Sequence, residues 1–282
     1  MSAIKLVVSD MDNTLLGKDN RISAANQQAI ADLKAAGIHF ALATGRTHLT
    51  TRAYAWQIDN NEPAITCNGG MISRLLSGDL LFQEALPDNS LTPLLNFLSQ
   101  HDCRYLIYTA NSVYSSPNNE RFSFFQDYNH FARSCGQPEV AVKIITTQHL
   151  KSHWQEDKSF LDGPALKLFA LSQNLDLLLN LRQLVEADDR LSCAQSMQGN
   201  LDVMPAGASK GTALLSLADH YGLSKSEIAV FGDQENDLPM MAEAGLAFAM
   251  ANAGHEVKAG ADRVAPDHDL SGFAAMVYRY IL

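Results

Sequence analysis

The sequence has no C-x-x-C pair: Cys67, Cys103, Cys135 and Cys193 are widely scattered, which argues against a zinc site and fits reduced thiols in a partly buried core. It has no run of Lys and Arg either. With 21 basic against 31 acidic residues and a formal net charge of -10, affinity for nucleic acid or for an anionic membrane is not expected. Nowhere do about eighteen apolar residues run together, and the apolar start is interrupted at Asp10 before it reaches signal-peptide length, so a cytoplasmic protein without membrane spans is expected. Internal repeats and low-complexity tracts are also missing. What is there is a chain of 282 residues, 46% hydrophobic and 18% charged, enough for one large or two ordinary domains with a sizeable core.

Ile4 to Ser9 is short, apolar and β-branched, and reads as a strand buried on both faces. Ser23 is placed to cap a helix over Ala24 to Ala36 that stops at Gly37. His39 to Ala43 reads as a second strand ending at Thr44-Gly45-Arg46, and Pro63 to Cys67 as a third ending at Asn68-Gly69-Gly70. The end of the chain has the same alternation, with a strand at Leu201 to Met204, a helix over Lys210 to Tyr221 capped by Ser209, a strand at Glu227 to Phe231, a helix from Asp237 to Ala244, a strand at Leu246 to Met250 and a helix from Leu270 to Ile281. Strand, helix, strand with loops at the strand ends predicts an α/β fold with a doubly wound parallel sheet, whose ligands lie beyond the carboxyl ends of the strands. The middle differs, with hairpins in Met71 to Leu86 and Arg104 to Ser115, helices over Leu91 to His101, Glu120 to Cys135 and Leu175 to Ala187, and a strand at Ala165 to Leu171. The expected organisation is a core built from residues 1–83 and 198–282, interrupted by an inserted α+β domain over 84–197.

Chemistry concentrates at the predicted strand ends. The first strand runs into Asp10-Met11-Asp12-Asn13-Thr14, two carboxylates two positions apart. Two such charges at about 4 Å repel by roughly 4 kcal/mol at an effective dielectric near 20, so a cation is expected between them. A hard, oxygen-seeking ion such as Mg²⁺ suits carboxylates, which serve as ligand, nucleophile or both; the bland alternative is an acidic turn favoured by Asx residues. Gly232-Asp233-Gln234-Glu235-Asn236-Asp237 again follows an apolar run. There Asp233 offers a further metal oxygen, Asn236 an amide donor, and Asp237 either a helix N-cap or an outer acceptor for metal-bound water. Lys210 falls in a first helical turn, where the macrodipole disfavours a cation by a few tenths to about 1 kcal/mol unless an anion is bound; the alternative is an exposed surface lysine. Thr44, Gly45 and Arg46 supply a hydroxyl, close backbone approach and a guanidinium, against the alternative of strand-end and surface-pair roles.

With these residues in this order, the sequence resembles the haloacid dehalogenase superfamily of phosphatases, whose four motifs match here as DMDNT, Thr44, Lys210 and GDQEND. The insertion resembles the type IIB cap of the Cof-like sugar phosphatase branch, and local features are similar to phosphatases acting on pyridoxal phosphate. The resemblance spans essentially the whole chain, with Asn13 where a glycine is often met. It implies a Mg²⁺-dependent phosphatase hydrolysing small-molecule phosphate monoesters of the sugar phosphate or pyridoxal phosphate class. It further implies that Asp10 is a nucleophile forming an aspartyl-phosphate, with Asp12 as general acid and base. Asp10, Asp233 and the Asp12 carbonyl would hold the metal with Asp237 behind them, and Thr44, Gly45, Arg46, Lys210 and Asn236 would bind substrate. The competing expectations are a phosphomutase of the same superfamily and a phosphoacceptor receiver module that does not turn over. Oligomeric state is open in the sequence.

Overall fold

Leu6, Val7, Val8 and Ser9 are all fully buried, as expected of a strand covered on both faces. In a computed structural model, which describes residues 4–146 and 161–282, this strand is an interior one of a parallel five-stranded sheet. The spatial order is Arg263–Ala265, Leu246–Met250, Ile228–Gly232, Leu6–Ser9, His39–Leu42. Register places Val8 beside Val230 and Ala41, and Ser9 beside Phe231 and Leu42, so side chains of equal parity share a face. One face carries Leu6, Val8, Ala41, Ile228 and Val230 against Leu214 and Leu217 of the helix Lys210–Tyr221 and Met240 and Met241 of Leu238–Ala242. On the other face Phe231 stacks on Phe248 at 4.5 Å and meets Phe273 of the terminal helix Gly272–Tyr280 at 4.8 Å. Helices on both faces of a parallel sheet are the doubly wound α/β architecture that the sequence predicts.

The chain divides into two compact units, the first comprising Met1–Gly45, Tyr54–Leu81 and Ser209–Leu282, the second Arg46–Ala53 and Phe82–Ala208. The second unit contains a six-stranded sheet in the order Leu191–Ala194, Asn200–Pro205, Lys167–Leu171, Arg104–Tyr108, Val113–Ser115, Ile144–Thr146, antiparallel except for its last pair. Its apolar face, with Tyr105, Ile107, Leu168, Ala170, Leu201 and Val203, is covered by Leu94, Leu95 and Leu98 of one helix and Leu177, Leu178, Leu181 and Val185 of another. Lys167 and Asp202 are completely buried in this unit and pair at 2.7 Å.

Two sequence expectations need correction. Pro63–Thr66 does not extend the parallel sheet; it joins Met71–Arg74 and Leu80–Gln83 in a separate three-stranded sheet, and meets the main one through a single parallel bridge, Ala43 to Ile65. The strand at Asn200–Pro205 pairs antiparallel within the second unit, so the expected return to the core at residue 198 comes too early, and Ser209 opens the returning segment. Both are strands as expected; which strand they pair with is decided by tertiary burial, which a local apolar run does not encode.

Candidate active site

At the carboxyl end of Leu6–Ser9 the chain makes a wide turn, Met11–Leu15, closed by Leu16 N–H donating to the Met11 carbonyl at 2.9 Å. Asn13 takes φ +55° in that turn, a left-handed conformation suited to glycine and, next best, to Asn. This is the physical reason the Asn stands where glycine is often met. Asp10 emerges buried at the strand tip, while Asp12 is half-buried.

Lys210 comes to Asp10 from the opposite end of the sequence. Its helix is anchored by Ser209, whose side chain accepts from Thr212 N–H at 3.0 Å while Thr212 Oγ1 accepts from Ser209 N–H at 3.0 Å, a reciprocal cap. Lys210 Nζ, fully buried, donates to Asp10 Oδ1 at 2.5 Å and to Asp237 Oδ1 at 2.6 Å. The other Asp237 oxygen accepts from the backbone N–H groups of Asp233 at 2.8 Å and Gln234 at 3.0 Å, so Asp237 makes no side-chain cap to its helix and instead ties the loop to the lysine. Gly232 makes this possible: a Cβ there would lie 2.5 Å from the Asp237 side chain. Asp233 accepts from Thr14 Oγ1 at 2.9 Å and from Gln234 Nε2 at 3.1 Å.

Asp10, Asp233 and Asp237 thus hold one carboxylate oxygen each within 4.8 Å of one another, all buried, with one ammonium among them. Burial pushes the Asp10 carboxyl well above its ordinary range; Lys210 pulls it down, and Asp237, Asp233 and Asp12 push it up again. Asp233 is raised to about 7, by burial first and the charge of Asp237 second. Burial opposes the charge on Lys210, but Asp10 and Asp237 outweigh it and hold the ammonium above its usual range. Three carboxylates facing one lysine leave a surplus of negative charge, and an all-oxygen donor set of this kind fits a hard divalent cation such as Mg²⁺. Asp237 gives one oxygen to the ammonium and the other to two backbone N–H groups, whereas Asp233 accepts from neutral side-chain donors, so Asp10 and Asp233 are the carboxylates with more capacity left for an ion.

Thr44 is buried at the end of His39–Leu42 and its N–H donates to the Ile65 carbonyl at 2.9 Å; half-buried Gly45 follows it. Asn236 is buried in the same loop as Asp233. Arg46 begins the segment that belongs to the second unit, where its guanidinium lies 4.7 Å over the Phe124 ring, the same ring that Arg121 covers at 4.0 Å. Three participants escape the sequence reading. Thr14 sits inside DMDNT without a role until Asp233 is seen beside it. Asn252, two residues beyond Leu246–Met250, donates to the Asn13 carbonyl at 2.9 Å; its signal is its place after a strand end. Asn68 accepts from Asn236 Nδ2 at 2.9 Å, and the Asn-Gly-Gly after a strand is its signal.

The family profile of haloacid dehalogenase-like hydrolases matches residues 7–277. Pyridoxal phosphate phosphatase YbhA of Escherichia coli is 26% identical over 281 residues, covering 99% of both chains. The 5-amino-6-(5-phospho-D-ribitylamino)uracil phosphatase YwtE of Bacillus subtilis is 29% identical, covering 97% of both. Among solved structures, a haloacid dehalogenase-like hydrolase from B. subtilis superposes with a TM-score of 0.83 at 23% identity, over 99% of this chain and 100% of that one. The subclass IIB sugar phosphatase BT4131 does so with a TM-score of 0.80 at 19% identity, over 99% and 100% of the two chains. The chain therefore belongs to the haloacid dehalogenase-like hydrolase family and stands among its phosphatases.

Proposed function

We propose that the protein hydrolyses small-molecule phosphate monoesters through an aspartyl-phosphate on Asp10, with pyridoxal phosphate and sugar phosphates as the substrate classes. The observation that carries this reading is the bridge of Lys210 Nζ between Asp10 and Asp237, with Asp233 in the same buried nest at the ends of parallel strands. An acidic nest that admits a phosphate dianion needs compensating positive charge; Lys210 supplies part of it, and a divalent ion held by Asp10 and Asp233 would supply the rest. Bound there, Mg²⁺ would neutralise charge on the transferring phosphoryl group. The pyridoxal phosphate class rests on the name of YbhA, and the sugar phosphate class on the name of BT4131 and the phosphorylated ribityl chain in that of YwtE, together with the family membership.

The chain's own groups divide the work. Lys210 favours the ionised form of Asp10 against the burial that opposes it, and aims it, and the carboxylate oxygen forms the bond to phosphorus as the ester P–O bond breaks. Asp12 delivers its proton to the departing alkoxide, then takes one from the water whose oxygen displaces Asp10 and yields inorganic phosphate. The Thr44 hydroxyl and the Asn236 amide hold peripheral phosphate oxygens, and Asp237 holds Lys210 and the Asp233 loop in place. The test is phosphate release with added Mg²⁺ over a panel containing pyridoxal 5'-phosphate, hexose phosphates and 5-amino-6-(5-phospho-D-ribitylamino)uracil. Wild type is expected to turn over at least one ester without a bisphosphate activator, which also separates it from a phosphomutase. Asp10→Asn is expected to be folded and to lose at least about 10³-fold in kcat; equal rates in the two proteins would overturn the assignment.

A further inference from the structure

The turn after Pro63–Thr66 is unusual in its backbone. Cys67, Asn68 and Gly69 stand in succession at φ +52°, +57° and +99°, and the first two lack the freedom of glycine. Cys67 is the strained member, since Asn takes a left-handed backbone more readily than other non-glycine residues, and such strain gathers at functional sites. Three contacts hold the rest of the turn, each to a different part of the nest. The Asn68 N–H donates to the Thr44 carbonyl at 3.1 Å. Gly69 lies against the start of the Lys210 helix so closely that a Cβ would fall 2.2 Å from the Ser209 carbonyl oxygen. Asn68 Oδ1 accepts from Asn236 Nδ2 at 2.9 Å, both residues being buried.

From this juxtaposition we infer that Asn68 is a positioning residue for catalysis: it fixes the plane of the Asn236 carboxamide, so that the second N–H of that amide is aimed for a phosphate oxygen. The inference rests on the proposed phosphatase reading of the nest. A carboxamide nitrogen has two coplanar protons, and once one is fixed on Asn68 the direction of the other is set. Without that bond Asn236 must lose rotamer freedom on binding phosphate, which weakens the contact. The same turn fastens the strand end bearing Thr44 and the helix bearing Lys210, so the donors expected to face phosphate share one rigid support.

The claim is tested by titrating inorganic phosphate calorimetrically in the presence of Mg²⁺, which needs no turnover, alongside kcat for the ester the wild type hydrolyses. Asn68→Gly tolerates the left-handed backbone and deletes the acceptor. It is expected to weaken phosphate binding about five- to tenfold, to match Asn236→Ala, and to add nothing further in the Asn68→Gly/Asn236→Ala double variant. Losses that multiply in the double variant, or phosphate binding by Asn68→Gly equal to wild type, would overturn it. If Asn68→Gly fails to fold, the wild-type protein carries the test by NMR: one Asn236 side-chain N–H, identified by its absence in Asn236→Ala, is expected to be protected from solvent exchange before phosphate is added, and exchange of both N–H protons at the rate of an exposed amide contradicts the claim. Absence of phosphate release by the wild type speaks against the reading of the nest instead, and is seen separately from the coupling between the two asparagines.

Discussion

Lys210 is the residue on which the charge balance of the nest turns, because Asp10 and Asp237 both end on its ammonium. Replacing it by Met leaves buried carboxylates facing one another, and breaking a buried pair in this way typically destabilises by about 3–5 kcal/mol. Urea unfolding of Lys210→Met is expected to show a loss of that size, and Lys210→Met/Asp237→Asn to recover part of it by removing one uncompensated charge. Loss of stability unchanged by the second substitution would mean that packing of the lysine stem dominates. The pH dependence follows from Asp233, whose folded-state pKa of about 7 lies above the ordinary carboxylate value. Between that ordinary value and about 7 the folded state binds the extra proton, so its stabilisation is complete at acid pH and is lost as pH rises through 7. In the absence of divalent ions, Tm is therefore expected to fall from pH 5 to pH 8. An ion that competes with the proton reverses the trend, so added Mg²⁺ should raise Tm more at pH 8 than at pH 5. A larger Mg²⁺ effect at pH 5 would contradict the account.

At the scale of the element, glycines allow the loops to close on the site. Gly232→Ala places a methyl 2.5 Å from the Asp237 side chain and is expected to release Asp237 from Lys210, lowering kcat at least about 10²-fold. Ser209→Ala removes one half of the reciprocal cap and is expected to lower stability by about 1 kcal/mol in urea, with the helix retained. Cap and helix were legible from sequence, because Ser209 and the apolar spacing of Leu214 and Leu217 are local signals. Asp10, Lys210 and Asp233 were legible for a related reason: each lies at a strand tip or helix start, where the doubly wound topology gathers functional groups. The bonds of Thr14 to Asp233 and of Asn236 to Asn68 were not, since they join residues 219 and 168 positions apart that no local pattern relates. Sheet membership of Pro63–Thr66 and Asn200–Pro205 failed likewise: a short apolar run marks a strand and is silent on its partner.

At the scale of the whole molecule, the two units have separate apolar cores, one around the parallel sheet and one around the six-stranded sheet. The proposed metal ligands Asp10 and Asp233 lie in the first unit. Mg²⁺ alone is therefore expected to slow amide exchange in segments 6–16, 209–214 and 228–238 more than in the strand Lys167–Leu171. Uniform slowing across both units would contradict that assignment. Within the second unit the Lys167–Asp202 pair is fully buried, and Lys167→Met is expected to destabilise by about 3–5 kcal/mol by leaving the carboxylate without its cation.

The central claim is that groups from both ends of the chain meet so that Asp10 can take up a phosphoryl group. Its most direct test is to mix enzyme in excess with a hydrolysed ester and Mg²⁺, quench in acid within the first turnover, and map the protein by mass spectrometry. A single added phosphoryl group on the peptide carrying Asp10, absent after quenching Asp10→Asn, is the predicted result. A phosphoryl group on any other residue, or turnover by Asp10→Asn at the wild-type rate, would contradict it.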